Sequence, residues 1–255
     1  MDILLLRFDA PLISFGGVMV DQHGPTDRFP GVAMLTGLLG NALGWRHSDA
    51  DALEGLQSRI EFAARWDLAP EPLLDYHTVD LGQPKMIGHA EPAKKAEHGG
   101  WTTRGLPEHR EGGEAAKYGT QIRYRHYWAN GVMTLSLGLS GAEYPGIKDL
   151  DQSLRSPARP LFLGRKTCLP AAPILLGVTE SSDVLSALRR VPRVRREGTW
   201  KRPDQGMEAC WPSHLQAPES HQEVRIYDRR DWRSQILAGQ RWRREGWLKE
   251  DSSCP

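Results

Sequence analysis

The dipeptide Asn130-Gly131 constrains this chain more than any other feature, because of what flanks it. Gln121–Trp128 and Val132–Leu139 are strand-length segments rich in β-branched and aromatic residues. Asn-Gly between two such segments is the usual signature of a two-residue type I′ hairpin, since both central residues tolerate positive φ. The sequence therefore predicts a hairpin over 121–139. Alternation along its first strand puts Gln121, Arg123, Arg125 and Tyr127 on one face and Ile122, Tyr124, His126 and Trp128 on the other. The first face is cationic. The second is aromatic and is expected to look into the core.

Other elements follow from hydrophobic periodicity. Ile3–Phe8 reads as a buried strand and Val32–Trp45 as a helix entered just after Pro30. Ala50–Arg59 reads as a shorter helix, Ile60–Trp66 as a strand, Ile147–Leu154 as a helix, Ile174–Thr179 as a strand and Ser181–Arg190 as a short helix. Gly37, Gly40 and Gly44 cost the first helix about 1 kcal/mol each relative to Ala, and close packing on a sheet is the expected compensation. The order strand, helix, strand, long insertion, strand, helix, strand fits an α+β fold of the ferredoxin-like βαββαβ type. The expected organisation is a first part of that core over 1–81, an insertion over 82–119, the rest of the core over 120–192, and an Arg/Trp-rich, loop-rich C-terminal extension over 193–255. The insertion is rich in Gly, Lys, Glu, His and Arg and cannot bury a core of its own.

Composition narrows the function classes. With a net charge of +1 the whole chain is no polyanion-binding surface, so any such surface is local. Arg155–Arg202 holds 11 Lys/Arg against three acids; the functional reading is a surface that faces a polyanion, and the bland one a solvated arginine-rich loop. Cys168, Cys210 and Cys254 have no metal-ligand spacing, and their sparse, odd count fits a reducing compartment. The first residues resemble neither a signal peptide nor a membrane span, so a cytoplasmic location and no membrane partner are expected. The chain has neither a Walker phosphate-binding loop nor a Gly-x-Ser-x-Gly elbow, and no cofactor or metal is expected.

Single-stranded RNA is held by cations on phosphates and flat rings on bases. The candidates for that chemistry are spread along the chain. Gly16 lies in the glycine-bearing loop before the first helix, where helix amides and loop backbone could receive a phosphate. Arg28 with Phe29 precedes that helix; the bland alternative for Arg28 is an ion pair with Asp27 or Asp21. The insertion supplies Trp101, Arg104 and Lys117, and the strand after it Arg123 and Arg125. Arg165 and Lys166 follow Gly164 in a turn. His77 is expected to be a packed core histidine.

Four blocks in order resemble the CasD family, the RAMP-type subunit of type I-E CRISPR Cascade complexes that holds the 5′ end of the guide RNA. They are the opening segment through Gly44, Asp75-Tyr76-His77-Thr78-Val79, the Lys/Arg-bearing insertion with its aromatic strand, and Phe162-Leu163-Gly164-Arg165-Lys166-Thr167-Cys168-Leu169-Pro170. The resemblance implies an RRM-like core with a β-hairpin thumb and a non-catalytic role. Such a subunit grips the crRNA 5′ handle, displaces a base with the thumb and caps the backbone filament. The implied partners are CasC-like backbone subunits and a CasA-like large subunit, with CasB-like and CasE-like subunits in the same complex and target DNA met only indirectly. Many relatives carry a basic residue and a Ser at the start of the first helix, where this chain has Val32 and Ala33. The rival reading is a metal-independent endoribonuclease acting on repeat RNA. It needs a base, an acid and a cation, for which Tyr124, His126 and Lys117 are candidates.

Overall fold

The protein is described by a computed structural model over residues 1–80, 100–101, 107–108, 120–196, 206–219 and 221–249. Its first elements are β1 (Asp2–Asp9), β2 (Leu12–Ile13), β3 (His23–Gly24), α1 (Val32–Leu43), α2 (Ala50–Arg59), β4 (Ile60–Leu68) and β5 (Glu71–Asp80). Then come β6 (Gly100–Trp101), β7 (Pro107–Glu108), β8 (Thr120–Ala129), β9 (Val132–Leu139), α3 (Ile147–Arg155), β10 (Leu175–Glu180) and α4 (Val184–Arg190). The last are β11 (Met207–Pro212), β12 (His221–Ile226), β13 (Arg230–Asp231), β14 (Ile236–Leu237) and β15 (Arg241–Leu248). The chain divides into two compact units, one of residues 1–16, 26–72 and 127–255, the other of 17–25 and 73–126.

The first unit is built on a sheet ordered β10-β1-β9-β4-β11-β15-β12, antiparallel at each pairing. Alternation along its strands sends side chains to two cores. Leu4, Leu6, Phe8, Phe62, Ala64, Leu135 and Leu137 point to one face, where they meet Leu35, Leu39, Leu56 and Leu150 of α1, α2 and α3. Ile3 and Ala63 point to the other, where α4 packs with Val184, Leu185 and Leu188 beside Trp211 and Leu248. The Asp183 carboxylate caps α4 by accepting from the Ser186 amide at 2.7 Å. Burial pushes that carboxyl up, but its hydrogen bonds from Ser186 and Ser182 outweigh this and hold it below the usual range.

The predicted hairpin does not form. Strands occur on either side of Asn130-Gly131, but β9 pairs with β1 and β4, whereas β8 pairs with β2 in this unit. Asn130 has φ +59°, yet Gly131 lacks the positive φ that a type I′ turn requires. The Asn130 amide donates instead to the Pro11 carbonyl at 3.2 Å. Gly131 is demanded by crowding: a Cβ there would lie 2.6 Å from Pro70 Cβ and 2.7 Å from the Trp66 ring. The physical reason is burial. Seven of the eight residues of β9 are buried, so it belongs between two apolar strands, and partly polar β8 is a poor neighbour for it. The predicted faces of β8 change accordingly. Tyr127, assigned to the cationic face, is buried; Tyr124 and His126, assigned to the core, are partly exposed.

Two further expectations are corrected. The α1 glycines do not approach the sheet: a Cβ on Gly40 would lie 2.7 Å from Leu53 of α2, one on Gly37 would touch Trp232, and Gly44 caps the helix in the left-handed region. Among the described residues of the 193–255 extension, β11, β15 and β12 continue the main sheet, which the expectation of a separate extension did not include. Its strands escape a period-two reading because arginines take apolar places on them. The Arg241 guanidinium sits 5.1 Å from the Phe62 ring centre and that of Arg243 5.5 Å from Phe29.

One buried ion pair ties α4 to the sheet. Arg65 and Asp67 are both essentially inaccessible, and Arg65 Nε donates to Asp67 Oδ1 at 2.8 Å. The rest of the Arg65 guanidinium donates to the carbonyls of Leu188 and Val191 at the end of α4. Asp67 Oδ2 accepts from Thr134 Oγ1 at 2.7 Å and from the Val194 amide at 3.2 Å.

In the second unit β3 pairs parallel with β8, His23 opposite Tyr124 and Gly24 opposite Arg125, and β5 pairs with β8. β6 and β7 pair antiparallel.

Candidate nucleic-acid interface

Arg165 and Lys166 stand on a turn that the backbone fixes tightly. The Leu163 amide donates to Cys168 O, the Cys168 amide to Arg165 O (both 2.8 Å), and the Ser14 amide to Leu163 O at 3.1 Å. Gly164 has φ +95°, and a Cβ there would lie 1.6 Å from Ser14 O, so no other residue fits. The Arg165 guanidinium lies over the Tyr127 ring at 4.7 Å, and Lys166 is exposed. Tyr127 as the seat for Arg165 is a partner that alternation had assigned to solvent. Burial pushes the Cys168 thiol up, and the fully buried Cys210 thiol is pushed up to about 11, which disfavours the thiolate at both.

Arg28 is held differently from either expectation. Its Nε donates to Glu208 Oε1 at 2.8 Å and its Nη2 to Oε2. Its guanidinium lies 4.6 Å from the Trp128 ring and 5.3 Å from the Trp66 ring. The ion-pair partner is thus neither Asp27 nor Asp21 but a residue of β11. Phe29 is 1% exposed and packs in the core, so it offers no face to a base. The amides at the start of α1 are also engaged: the Val32 amide donates to Asp228 Oδ2 and the Ala33 amide to Asp228 O, both at 2.9 Å. The helix terminus where a phosphate was expected therefore holds a carboxylate of the same chain. Gly16 takes φ +83° where the loop closes, its carbonyl accepting from the Asp27 amide at 2.6 Å.

In the second unit, Arg123 and Arg125 lie on β8 with Tyr124 and His126 between and after them. His23 stacks on Tyr124 with ring centres 4.8 Å apart, and His126 lies 6.0 Å from His23. Tyr76, 55% exposed, is 5.7 Å from Tyr124. His23 carried no local motif, and Tyr76 stood out only within the Asp75–Val79 block, not as a neighbour of Tyr124. His77 is not a core residue; it shares a 2.5 Å hydrogen bond with Asp75 and is partly exposed. The Trp101 backbone pairs with Pro107, its side chain lies outside the described residues, and so do Arg104 and Lys117. Among the described residues, no three His, Cys, Asp or Glu side chains gather as a metal site. No helix among them is long and apolar enough to cross a membrane.

The first unit thus carries a fixed cationic turn, and the second a sheet with arginines and stacked rings. Residues 3–244 match the family described as CRISPR-associated protein (Cas_Cas5), and the chain belongs to that family. It is 29% identical over 193 residues to the CRISPR system Cascade subunit CasD of Escherichia coli (strain K12), across 72% of this chain and 75% of that one. Its fold is similar to that of a chain in a CRISPR RNA-guided surveillance complex, with a TM-score of 0.71 at 20% identity over 98% of this chain and 92% of that one. A second similar structure is the crystal structure of a Cas protein, with a TM-score of 0.58 at 19% identity over 97% and 95% of the two chains.

Proposed function

We propose that this protein is a non-catalytic RNA-binding subunit of a type I-E Cascade complex that grips the crRNA 5′ handle and caps the backbone filament. The similarity to CasD supports this reading. On it, the core is ferredoxin-like, and the order β10-β1-β9-β4 agrees: the fourth, first, third and second strands of a βαββαβ unit lie side by side, all antiparallel. The partners are crRNA, CasC-like backbone subunits and a CasA-like large subunit in the cytoplasm.

The observation that carries the RNA contact is β8, where Arg123 and Arg125 flank a stack of Tyr124 on His23. Arginines suit phosphates and the rings suit bases. In the first unit, the Arg165-Lys166 turn holds cations of its own, fixed on the Gly164 turn and the Tyr127 ring. Arg28 and the α1 amides are neutralised by Glu208 and Asp228, and the RNA contact is assigned away from them.

The test is to replace Arg123 and Arg125 together with alanine and measure retention of guide RNA in the assembled complex against salt. Retention falls, and the log–log salt slope shrinks by about 1.4, at about 0.7 per phosphate contact on a single strand. Wild-type retention and slope would remove both arginines from the interface.

The endoribonuclease reading has one observation in its favour. His23 is exposed and Tyr124 and His126 partly so, and the three converge, which offers an acid and a base to a 2′-hydroxyl. Cleavage of repeat RNA that is lost in His126→Ala would establish it.

A further inference from the structure

A cavity of about 300 Å³ opens beside the C-terminal end of α1, away from the helix start where Arg28 and Asp228 lie. Gly37 and Gly40 line it, and their missing side chains make the room. Its other walls include Arg46, His47, Arg159 and Trp232, together with Asn41, Trp45 and Leu53. No acidic residue lines it.

The hydrogen-bond balance in this cavity is one-sided. A helix C-terminus normally presents acceptors, and here three of its last carbonyls are engaged. Gly40 O accepts from the Trp45 amide at 2.8 Å, Asn41 O from Gly44 at 3.2 Å and Ala42 O from Ala158 at 2.9 Å. Arg159 Nη2 donates to Trp45 O. Asn41 Oδ1 accepts from Arg159 Nε, and Asn41 Nδ2 donates to Pro160 O, both at 2.8 Å. The nearby carboxylates are also engaged: Asp49 accepts from the Arg46 amide, Glu54 from the Trp232 amide, and Asp51 pairs with Arg233.

Donors are left over. Trp232 is 3% exposed, its ring lines the cavity, and its indole Nε1 has no partner among the described residues. Two of the five N–H groups of Arg159 are accounted for by the bonds above, and Arg46 adds a full charge at the rim. His47 stacks near Trp232 with ring centres 6.3 Å apart and planes 24° from parallel, which gives the cavity a flat wall.

We propose that this cavity binds an oxyanion of the phosphate class, held by Arg46 and Arg159 beside the Trp232 ring. The proposal is independent of the RNA interface and does not use its residues. The phosphate group has two possible sources, inorganic phosphate and a nucleoside monophosphate, and the flat wall suits a base.

The test follows the Trp232 indole N–H by NMR in the full-length chain with ¹⁵N-labelled tryptophan. The resonance is assigned by its absence in Trp232→Phe, which keeps an aromatic ring. AMP, adenosine and inorganic phosphate are titrated separately. AMP and phosphate move the Trp232 resonance saturably and adenosine does not. Tighter binding of AMP identifies the nucleotide as the source, and equal binding identifies phosphate. Arg46→Ala, at an exposed position, weakens binding about tenfold with an unchanged circular dichroism spectrum, as loss of one charge-assisted contact does. An unmoved resonance with both AMP and phosphate, adenosine acting like AMP, or undiminished affinity in Arg46→Ala would each overturn the proposal.

Discussion

Alanine in place of Asp67 is expected to destabilise the protein by about 3–5 kcal/mol, a large part of the roughly 5–15 kcal/mol that a domain has. The magnitude comes from what stays behind. Arg65 is 1% exposed and would keep a buried charge whose carboxylate is gone. Thr134 Oγ1 and the Val194 amide would lose their acceptor as well. The pair itself is a modest source of stability, because two charges were desolvated to form it. The combined change Arg65→Met with Asp67→Leu is therefore expected to recover the part of the loss due to the stranded charge, while Thr134, the Val194 amide and the Leu188 and Val191 carbonyls stay without their partners. Chemical denaturation of the three variants decides this; an Asp67→Ala midpoint equal to wild type would show that water reaches Arg65 and that α4 is not anchored there.

Gly164→Ala is the second large effect. Positive φ in a non-glycine residue costs about 1–2 kcal/mol, and the new Cβ at 1.6 Å from Ser14 O forces the backbone to move. The turn has to leave Ser14, and Arg165 leaves Tyr127 with it. Gly16→Ala is the control: φ is +83°, but nothing lies within 4 Å of the new Cβ, so only the backbone penalty applies. Gly164→Ala should thus lose markedly more thermal stability than Gly16→Ala and weaken RNA retention. Equal losses would mean that the contact with Ser14 yields easily.

These two sites show where the sequence was readable. Strands and helices with a dominant local period, such as β1, α2 and β4, fall where hydrophobic spacing puts them. Asn130-Gly131 misleads because a turn signal reports local twist, whereas pairing is a competition among all strands, and buried β9 takes β1 and β4. The C-terminal strands were hidden by arginines packed on Phe62 and Phe29, which count as polar in any alternation. At the candidate interface, Gly164-Arg165-Lys166 was legible as a glycine turn bearing cations. Tyr127 beneath it was not, because its face depends on which strand β8 pairs with. Nor was the neutralisation of Arg28, whose partner Glu208 lies 180 residues away. Trp232 and Arg159 meet α1 only through tertiary packing and leave no local pattern.

The most direct test of the central claim binds labelled repeat-spacer RNA to the chain, with and without the CasC-like backbone subunit and in the presence of EDTA, beside an RNA whose 5′ handle is scrambled. Native and denaturing gels of the same samples report retention and integrity together. The account predicts handle-dependent retention of intact RNA. A discrete cut within the repeat that disappears in His126→Ala would contradict it and make the protein a processing nuclease.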